Sequence, residues 1–474
     1  MAALASYFEP TMTPRLVQDP SLRYIPPGPR PSYTATDPSP HATALPPLHP
    51  SAIMRRLALI ALIAVATPVL AQAPDPYLAR VKKLLATTPV IDGHNDTPWE
   101  IRVNKEAPRD VDHYDLRTNL RHQDTDIARM KAGFLGGQFW SIYIPGEVKD
   151  SGYARIQLEQ FDIARRMIAG YPDRMIFAKT AADAKRAIAA GKFPSFLGLE
   201  GGHAIENSLG ALRIYYDLGA RYMTLTHNVT LDWADAALDK PVHGGLTPFG
   251  KEVVREMNRL GMIVDLSHVS PGTMSAALDV SEAPVMFSHS SARALSDHAR
   301  DVPDSILARV KKNNGIVMVT FVKSFISEKV RQHQLARDAR AREVAAGFGG
   351  DTTRLNAAMA EWDKANPEPP VGIKDVADHF DHIKQVAGVD HVGIGGDFDG
   401  TGGEHITGLE DVSKYPDLLA ELARRGWTDD DLRKVASGNI LRVLTDVEAV
   451  AARLQKTRRP STKTIDELDR GAKM

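Results

Sequence analysis

The chain contains no cysteine. Disulfides, thiolate zinc sites, cysteine nucleophiles and lipid attachment through cysteine are therefore excluded, and any metal must be held by His, Asp and Glu. An excess of one charge is missing too. The 58 Lys and Arg residues face 59 Asp and Glu, for a formal net charge of -1, so no nucleic-acid partner is expected on electrostatic grounds. No apolar run reaches the roughly 20 residues of a membrane-spanning helix. The carboxyl terminus also lacks the apolar tail of a lipid-anchor signal, and no stable membrane anchor is expected.

What is present begins with a composition shift. Residues 1–53 are rich in Pro, Ser and Thr and show no sustained apolar period. Such a segment buries too little surface to offset its ordering entropy and is expected to be disordered. Met54-Arg55-Arg56 then opens an apolar run from Leu57 to Leu70, followed by Ala71-Gln72-Ala73. A basic start, a short apolar stretch and small residues at a cleavage site make residues 54–73 a secretory signal peptide. Signals ordinarily begin at the true amino terminus, so translation is expected to start at Met54, with residues 1–53 an over-extended reading of the gene. Amino-terminal sequencing tests this; a mature product beginning near Met1 would refute it.

With 43% hydrophobic residues in 474, the chain can bury a large core. From about residue 76 to 456 the pattern alternates β then α. Eight strands are expected near residues 89–93, 136–144, 195–199, 222–226, 262–266, 284–288, 315–321 and 391–396. Helical periods such as Ile156 to Ala169 and Gly250 to Leu260 lie between them, and Asp417 to Arg425 and Asp429 to Leu444 follow the last strand. The expected class is α/β, a (β/α)8 TIM-like barrel with a helical insertion between strands 7 and 8. That insertion includes the charged, Ala-rich stretch from Lys323 to Lys364, read as a pair of solvated helices; a lid or partner contact over the barrel mouth is the alternative. Residues 457–474 form a polar tail, expected to be loosely held.

Polar residues recur at the ends of the apolar runs. His94 and Asp96 follow Val90-Ile91-Asp92, Glu200 ends Phe196 to Leu199, and His227 ends Tyr222 to Thr226. His268 follows Ile263 to Ser267, His289 follows Val285 to Ser288, and Asp397 follows Val392 to Gly396. Only the run Gly315 to Phe321 ends on no such residue. In a (β/α)8 barrel the carboxyl ends of the strands converge on one face. Taken singly, each residue has an ordinary structural reading: Asp96 can cap the next helix, and Glu200 can form an ion pair. Together, His94 and Asp96 at i, i+2, Glu200 as a bridge, and His268 with His289 can furnish two metal shells. His/Asp/Glu ligation suits zinc, with other first-row metals open.

Several neighbouring motifs carry a resemblance. They are Ile91-Asp92-Gly93-His94-Asn95-Asp96, Gly136-Gly137-Gln138-Phe139-Trp140-Ser141, Leu199-Glu200-Gly201-Gly202-His203 and Thr224-Leu225-Thr226-His227. Asp265-Leu266-Ser267-His268, Phe287-Ser288-His289-Ser290-Ser291, Arg300-Asp301-Val302-Pro303-Asp304 and Gly395-Gly396-Asp397-Phe398-Asp399-Gly400 complete the series. In this order, over roughly residues 80 to 450, they resemble the membrane (renal-type) dipeptidase family of zinc peptidases. The resemblance implies two Zn²⁺ per subunit: His94 and Asp96 on one, His268 and His289 on the other, and Glu200 bridging. It also implies that His227 contacts the substrate carbonyl and its oxyanion and that Arg300 holds a substrate carboxylate. Asp397 would contact the substrate and pass a proton to the leaving amine, although Asp399 nearby leaves the choice of aspartate open. His203 is read as a packing residue. A metal-bridging hydroxide would then cleave a dipeptide into two amino acids.

The absence of cysteine rules out a disulfide-linked dimer, and a noncovalent homodimer is what the resemblance leaves. The signal without an anchor fits an exported periplasmic or secreted enzyme of a Gram-negative bacterium. Two other readings compete. Another binuclear amidohydrolase is disfavoured because His-x-Asp and a Glu bridge stand where such barrels ordinarily carry His-x-His and a modified Lys. A non-catalytic zinc- or ligand-binding barrel is disfavoured by the joint presence of His227, Arg300 and Asp397.

Overall fold

Short β-branched and aromatic runs separated by amphipathic helices favour parallel strands whose crossovers cover the sheet. The computed structural model, which describes residues 75–147, 152–348 and 351–470, has this architecture. The expected amino-terminal extension and signal lie outside the described residues. In chain order the strands are β1 (Val90–Asn95), β2 (Leu135–Ser141), β3 (Met175–Phe177), β4 (Phe193–Glu200) and β5 (Ala220–Thr224). They continue with β6 (Ile263–Asp265), β7 (Met286–Phe287), β8 (Ile316–Val319) and β9 (Val392–Ile394). All pairings are parallel, in the order β2-β1-β9-β8-β7-β6-β5-β4, and β2 pairs back onto β4 to close a ring of eight. The fold is a (β/α)8 barrel.

One strand was not expected. β3 pairs only with Phe193–Ser195 at the start of β4, outside the ring. Three residues are too few to show an alternation in the sequence, and their pairing comes from the neighbouring strand.

One apolar layer fills the barrel and a second packs the helices against its outside. Inward-facing Ile91, Phe139, Phe196, Tyr222, Ile263, Met286, Ile316 and Met318 fill its interior, with the Phe139 and Phe196 rings stacked at 4.7 Å. Full burial of side chains of this size contributes about 1.5–3 kcal/mol each. The same cluster takes in Ile440, Val443, Leu444 and Val447 of the last long helix. That helix closes the amino-terminal end of the barrel, where Asn439 Nδ2 donates to the carbonyl of Val392 at 2.9 Å. The expected helix over Asp429–Leu444 is broken into Asp429–Arg433, a π-turn at Lys434–Gly438, and Asn439–Leu454.

Between β8 and β9 the insertion forms helices Glu328–Phe348 and Thr352–Ala365. Arg337 clasps Asp363 at 2.7 and 3.0 Å, and His333 lies against Trp362 at 5.2 Å. Val330 and Met359 are their only buried apolar residues among those described. This is the pair of solvated helices expected from the sequence. The carboxyl-terminal segment differs from its expectation as a loose tail. Asp469 accepts from Thr247 Oγ1 at 2.7 Å and from the Phe249 amide at 2.9 Å, docking on the first turn of helix Pro248–Leu260.

Among the described residues, no helix is long and apolar enough to cross a membrane.

Candidate metal centre

Barrel closure sets the carboxyl ends of β1, β4, β5, β6, β7 and β9 around one point. Glu200, the last residue of β4, stands at its middle. Its Oε2 lies 3.3 Å from His94 Nε2, and its Oε1 lies 3.1 Å from His268 Nε2 and 3.5 Å from His289 Nε2. One carboxylate thus faces two groups of donors with different oxygens, the geometry a bridging ligand needs. His94 Nε2 is also 3.2 Å from Asp96 Oδ2 and 3.9 Å from Asp397 Oδ1.

Among the described residues three sets of donor atoms could each hold an ion: His94–Glu200–His289, Glu200–His227–His268, and His94–Asp96–Asp397. All the residues singled out at strand ends converge here. Arg300 lies beside them, its guanidinium donating weakly to Ser290 Oγ and the His289 carbonyl at 3.4 Å each.

The residues fit a cation. His94 Nε2 and Asp96 Oδ1 are buried without a hydrogen-bond partner, and leaving such groups unsatisfied costs about 1–3 kcal/mol each or more. A divalent ion would satisfy both. The backbone is also held in unusual conformations at the site: His268 and Asp397 have φ of 66° and 62°. Left-handed backbone is uncommon outside glycine, and here it re-aims the side chain after the strand ends.

Electrostatics divides the imidazoles. Burial depresses the imidazolium forms of His268, His289 and His227 well below the usual histidine range, with the Arg300 charge adding to it in each case. Neutral imidazole is the ligand form. At His94 burial acts the same way, but Tyr222, Glu200 and Asp96 together outweigh it and push the group well above its ordinary value. Burial pushes the Asp397 carboxyl well up; His94 opposes this, while Asp96 and Glu200 reinforce it. A bound dication would draw it back down. The Arg300 guanidinium, lowered by burial to about 10, still carries its charge at neutral pH.

The geometry separates Asp397 from Asp399. Asp397 faces His94 and Asp96, while Asp399 turns away to accept from Thr97 Oγ1 at 2.7 Å. His203 belongs to none of the donor sets; it meets the Ile144 carbonyl at 2.9 Å, and burial lowers its imidazole to about 4.

Sequence reasoning missed the residues that hold these side chains. Ser141, at the end of β2, donates to Glu200 Oε2 at 3.0 Å. Asp92 is a buried node: its carboxylate accepts from the amides of His94 and Gly396, from Gln138 Nε2 and from Tyr415 Oη. Asp92, Gln138 and Ser141 sit inside the motifs read from the sequence, but a supporting contact is defined by distance rather than residue type.

A family model described as membrane dipeptidase (peptidase family M19) matches residues 78–458. The chain belongs to the membrane dipeptidase family. Similar solved structures include the probable dipeptidase PvdM from Pseudomonas aeruginosa, at 26% identity and TM-score 0.67, covering 80% of this chain and 100% of that one. A metallo peptidase from Rhodobacter sphaeroides, solved with a phosphinate mimic of the dipeptide L-Ala-D-Ala, is 25% identical with TM-score 0.62, covering 76% of this chain and 99% of that one. The family and these likenesses make the protein a metallo-dipeptidase, a hydrolase acting on peptide bonds.

Proposed function

We propose that the protein hydrolyses dipeptides with two Zn²⁺ ions, His94 and Asp96 on one, His268 and His289 on the other, and Glu200 between them. The observation that carries this reading is the split of the Glu200 carboxylate, with Oε2 toward His94 and Oε1 toward His268 and His289. A cysteine-free His/Asp/Glu donor set suits zinc. When bound, such a pair supplies an activated water and a Lewis acid for the scissile carbonyl.

The chain's own groups do the rest. Arg300 presents a charged fork to the substrate carboxylate, which favours a free carboxyl terminus close to the scissile bond. His227, kept neutral by its surroundings, donates a hydrogen bond to the oxygen that gains negative charge in the tetrahedral state. Asp397 takes the proton released by the attacking water and returns it to the leaving amine. Its place 3.9 Å from His94 Nε2 and within the donor cluster supports that role.

The test is turnover of a dipeptide panel, L-Ala-D-Ala included because a relative was solved with its mimic, before and after chelation. Loss on chelation and recovery with zinc are expected. A fully metallated protein that cleaves none would leave a ligand-binding barrel instead. His227→Ala should keep both ions and lose about 10²–10³ in kcat; full turnover would remove its proposed role. Residues 54–73 further support export to the periplasm or medium, which fractionation of the native host checks.

A further inference from the structure

Three imidazoles around Glu200 are each held at Nδ1 by a different partner. His94 Nδ1 meets Tyr222 Oη at 2.8 Å, and His268 Nδ1 meets Asn228 Oδ1 at 2.9 Å. His289 Nδ1 meets the hydroxyl of its own neighbour, Ser288, at 2.8 Å. An amide oxygen only accepts, whereas a hydroxyl can give or take a proton. Ser288 by itself therefore leaves open which nitrogen of His289 is protonated. The answer lies with the group that draws the hydroxyl proton away.

That group is Asp265, the last residue of β6. Ser288 Oγ donates to Asp265 Oδ2 at 2.6 Å, and Thr224 Oγ1 donates to the same oxygen at 2.6 Å. Oδ1 accepts from the amides of Ser267 and Ser288 at 3.1 and 2.8 Å. Asp265, Thr224 and Ser288 are completely buried, so no solvent competes for these bonds. The chain packs closely here as well: a Cβ on Gly395 would lie 1.9 Å from the Ser288 carbonyl oxygen, so only glycine fits against it. With its proton committed to Asp265, Ser288 Oγ offers only lone pairs to His289. The ring proton is then on Nδ1 and the free lone pair on Nε2.

We propose that Asp265 and Ser288 are positioning residues for metal binding, forming an Asp265–Ser288–His289 relay that fixes the Nε2 lone pair of His289. The inference rests on the reading of His289 as a ligand. His268 Nε2 and His289 Nε2 lie 2.9 Å apart; with both ring protons on Nδ1 their lone pairs would face the same space, where a cation would accept both. Partners of ligating histidines that fix the tautomer are typically worth about 10- to 100-fold in metal affinity.

An isosteric change should invert the relay. In Asp265→Asn, the two backbone amides on the Oδ1 side can only donate, so the carboxamide oxygen must face them. The NH₂ group then falls against Thr224 and Ser288, whose hydroxyls can accept. Ser288 would turn its own proton onto His289 Nδ1 and so move the ring proton to Nε2, where it blocks the ion. Ser288→Ala removes the relay without imposing the wrong tautomer.

Two measurements test this on the full chain: zinc affinity by chelator competition with ions counted by mass spectrometry, and ¹⁵N shifts of the histidines in the apoprotein. Wild type is expected to hold two ions, with His289 protonated on Nδ1. Asp265→Asn should keep one ion and bind the other about 100-fold more weakly, with the His289 proton on Nε2; Ser288→Ala should weaken the same ion about 10-fold. Circular dichroism screens for folding, and if Asp265→Asn does not fold, Ser288→Ala against wild type decides. Wild-type affinity for both ions in the folded variants overturns the proposal, as does an Nε2 proton on His289 in the wild-type apoprotein. If wild type binds no divalent ion but shows the expected tautomer, the metal reading fails while the relay stands.

Discussion

Asp399 and Asp124 hold each other through their backbones: Asp399 Oδ1 accepts the Asp124 amide at 2.7 Å, and Asp124 Oδ2 accepts the Asp399 amide at 3.0 Å. The pair pins the loop that leaves β9 and so sets the approach of Asp397 to the donor cluster. Burial pushes the Asp124 carboxyl up to about 8, with the Asp399 charge adding to it. An aspartate raised above its unfolded value of about 3.9 gives stability that is fully present below that value and is lost as pH rises toward the folded pKa. The urea midpoint of the metal-free protein should therefore fall between pH 5 and 8. Asp124→Asn should flatten that slope; an unchanged slope would detach it from this pair.

Gly400 is expected to be intolerant of a methyl group. A Cβ there would lie 2.3 Å from Asp96 Oδ2 and 2.5 Å from Asp397 Oδ1. Both contacts are with side-chain carboxylate oxygens of the donor cluster, so a methyl group fits only if one of them swings out of its place. Gly400→Ala should displace Asp96, lower metal content and cut turnover, with little change in the unfolding midpoint of the apoprotein. Full metal content in the variant would show that the loop yields.

Arg300 is nearly fully buried, at 2% exposure, and has no carboxylate within ion-pair distance among the described residues. On the proposed reading its partner is the substrate. Arg300→Ala should cost about 2–5 kcal/mol in kcat/KM for dipeptides with a free carboxyl terminus. Dipeptide amides, which offer no carboxylate to the guanidinium, should change little. Equal losses on both substrate classes would mean that the guanidinium organises the site instead of binding the carboxylate.

Asp469 ties the end of the chain to the first turn of helix Pro248–Leu260. Asp469→Ala should lower stability by about 1 kcal/mol, the usual worth of a helix cap, and leave kcat unchanged. The comparison of urea midpoints and steady-state rates checks both. A fall in kcat alone would place this segment closer to the substrate than its contacts suggest.

The strand-end residues were legible because a barrel makes them so. His94, Glu200, His268 and His289 each follow an apolar run, and closure of β2 onto β4 brings such positions to one face. β3 was not legible, since Met175–Phe177 has no alternation of its own and pairs only because β4 begins beside it. The aspartates at 397 and 399 could not be told apart for a different reason. Both have φ of 62°, and two left-handed residues in three turn their side chains by amounts no alternation rule describes.

Asp469 shows the same limit at the far end of the chain. Its polar neighbours suggested a loose tail, and only the position of the amide of Phe249, 220 residues earlier, gives its carboxylate a partner.

The sequence by itself determined the chemistry available: no thiol, five His/Asp/Glu ligand candidates at strand ends, a fourth histidine, an arginine and a further aspartate, in an order that resembles one family. Local pattern suffices for this because residue type and strand periodicity are properties of neighbours in the chain. Only the tertiary structure decided which oxygen of Glu200 faces which histidine, that Asp397 turns inward and Asp399 outward, and that Asp265 reaches His289 through Ser288. Those are relations between atoms on different strands, and their distances are set by barrel closure and packing, which no single stretch of sequence contains.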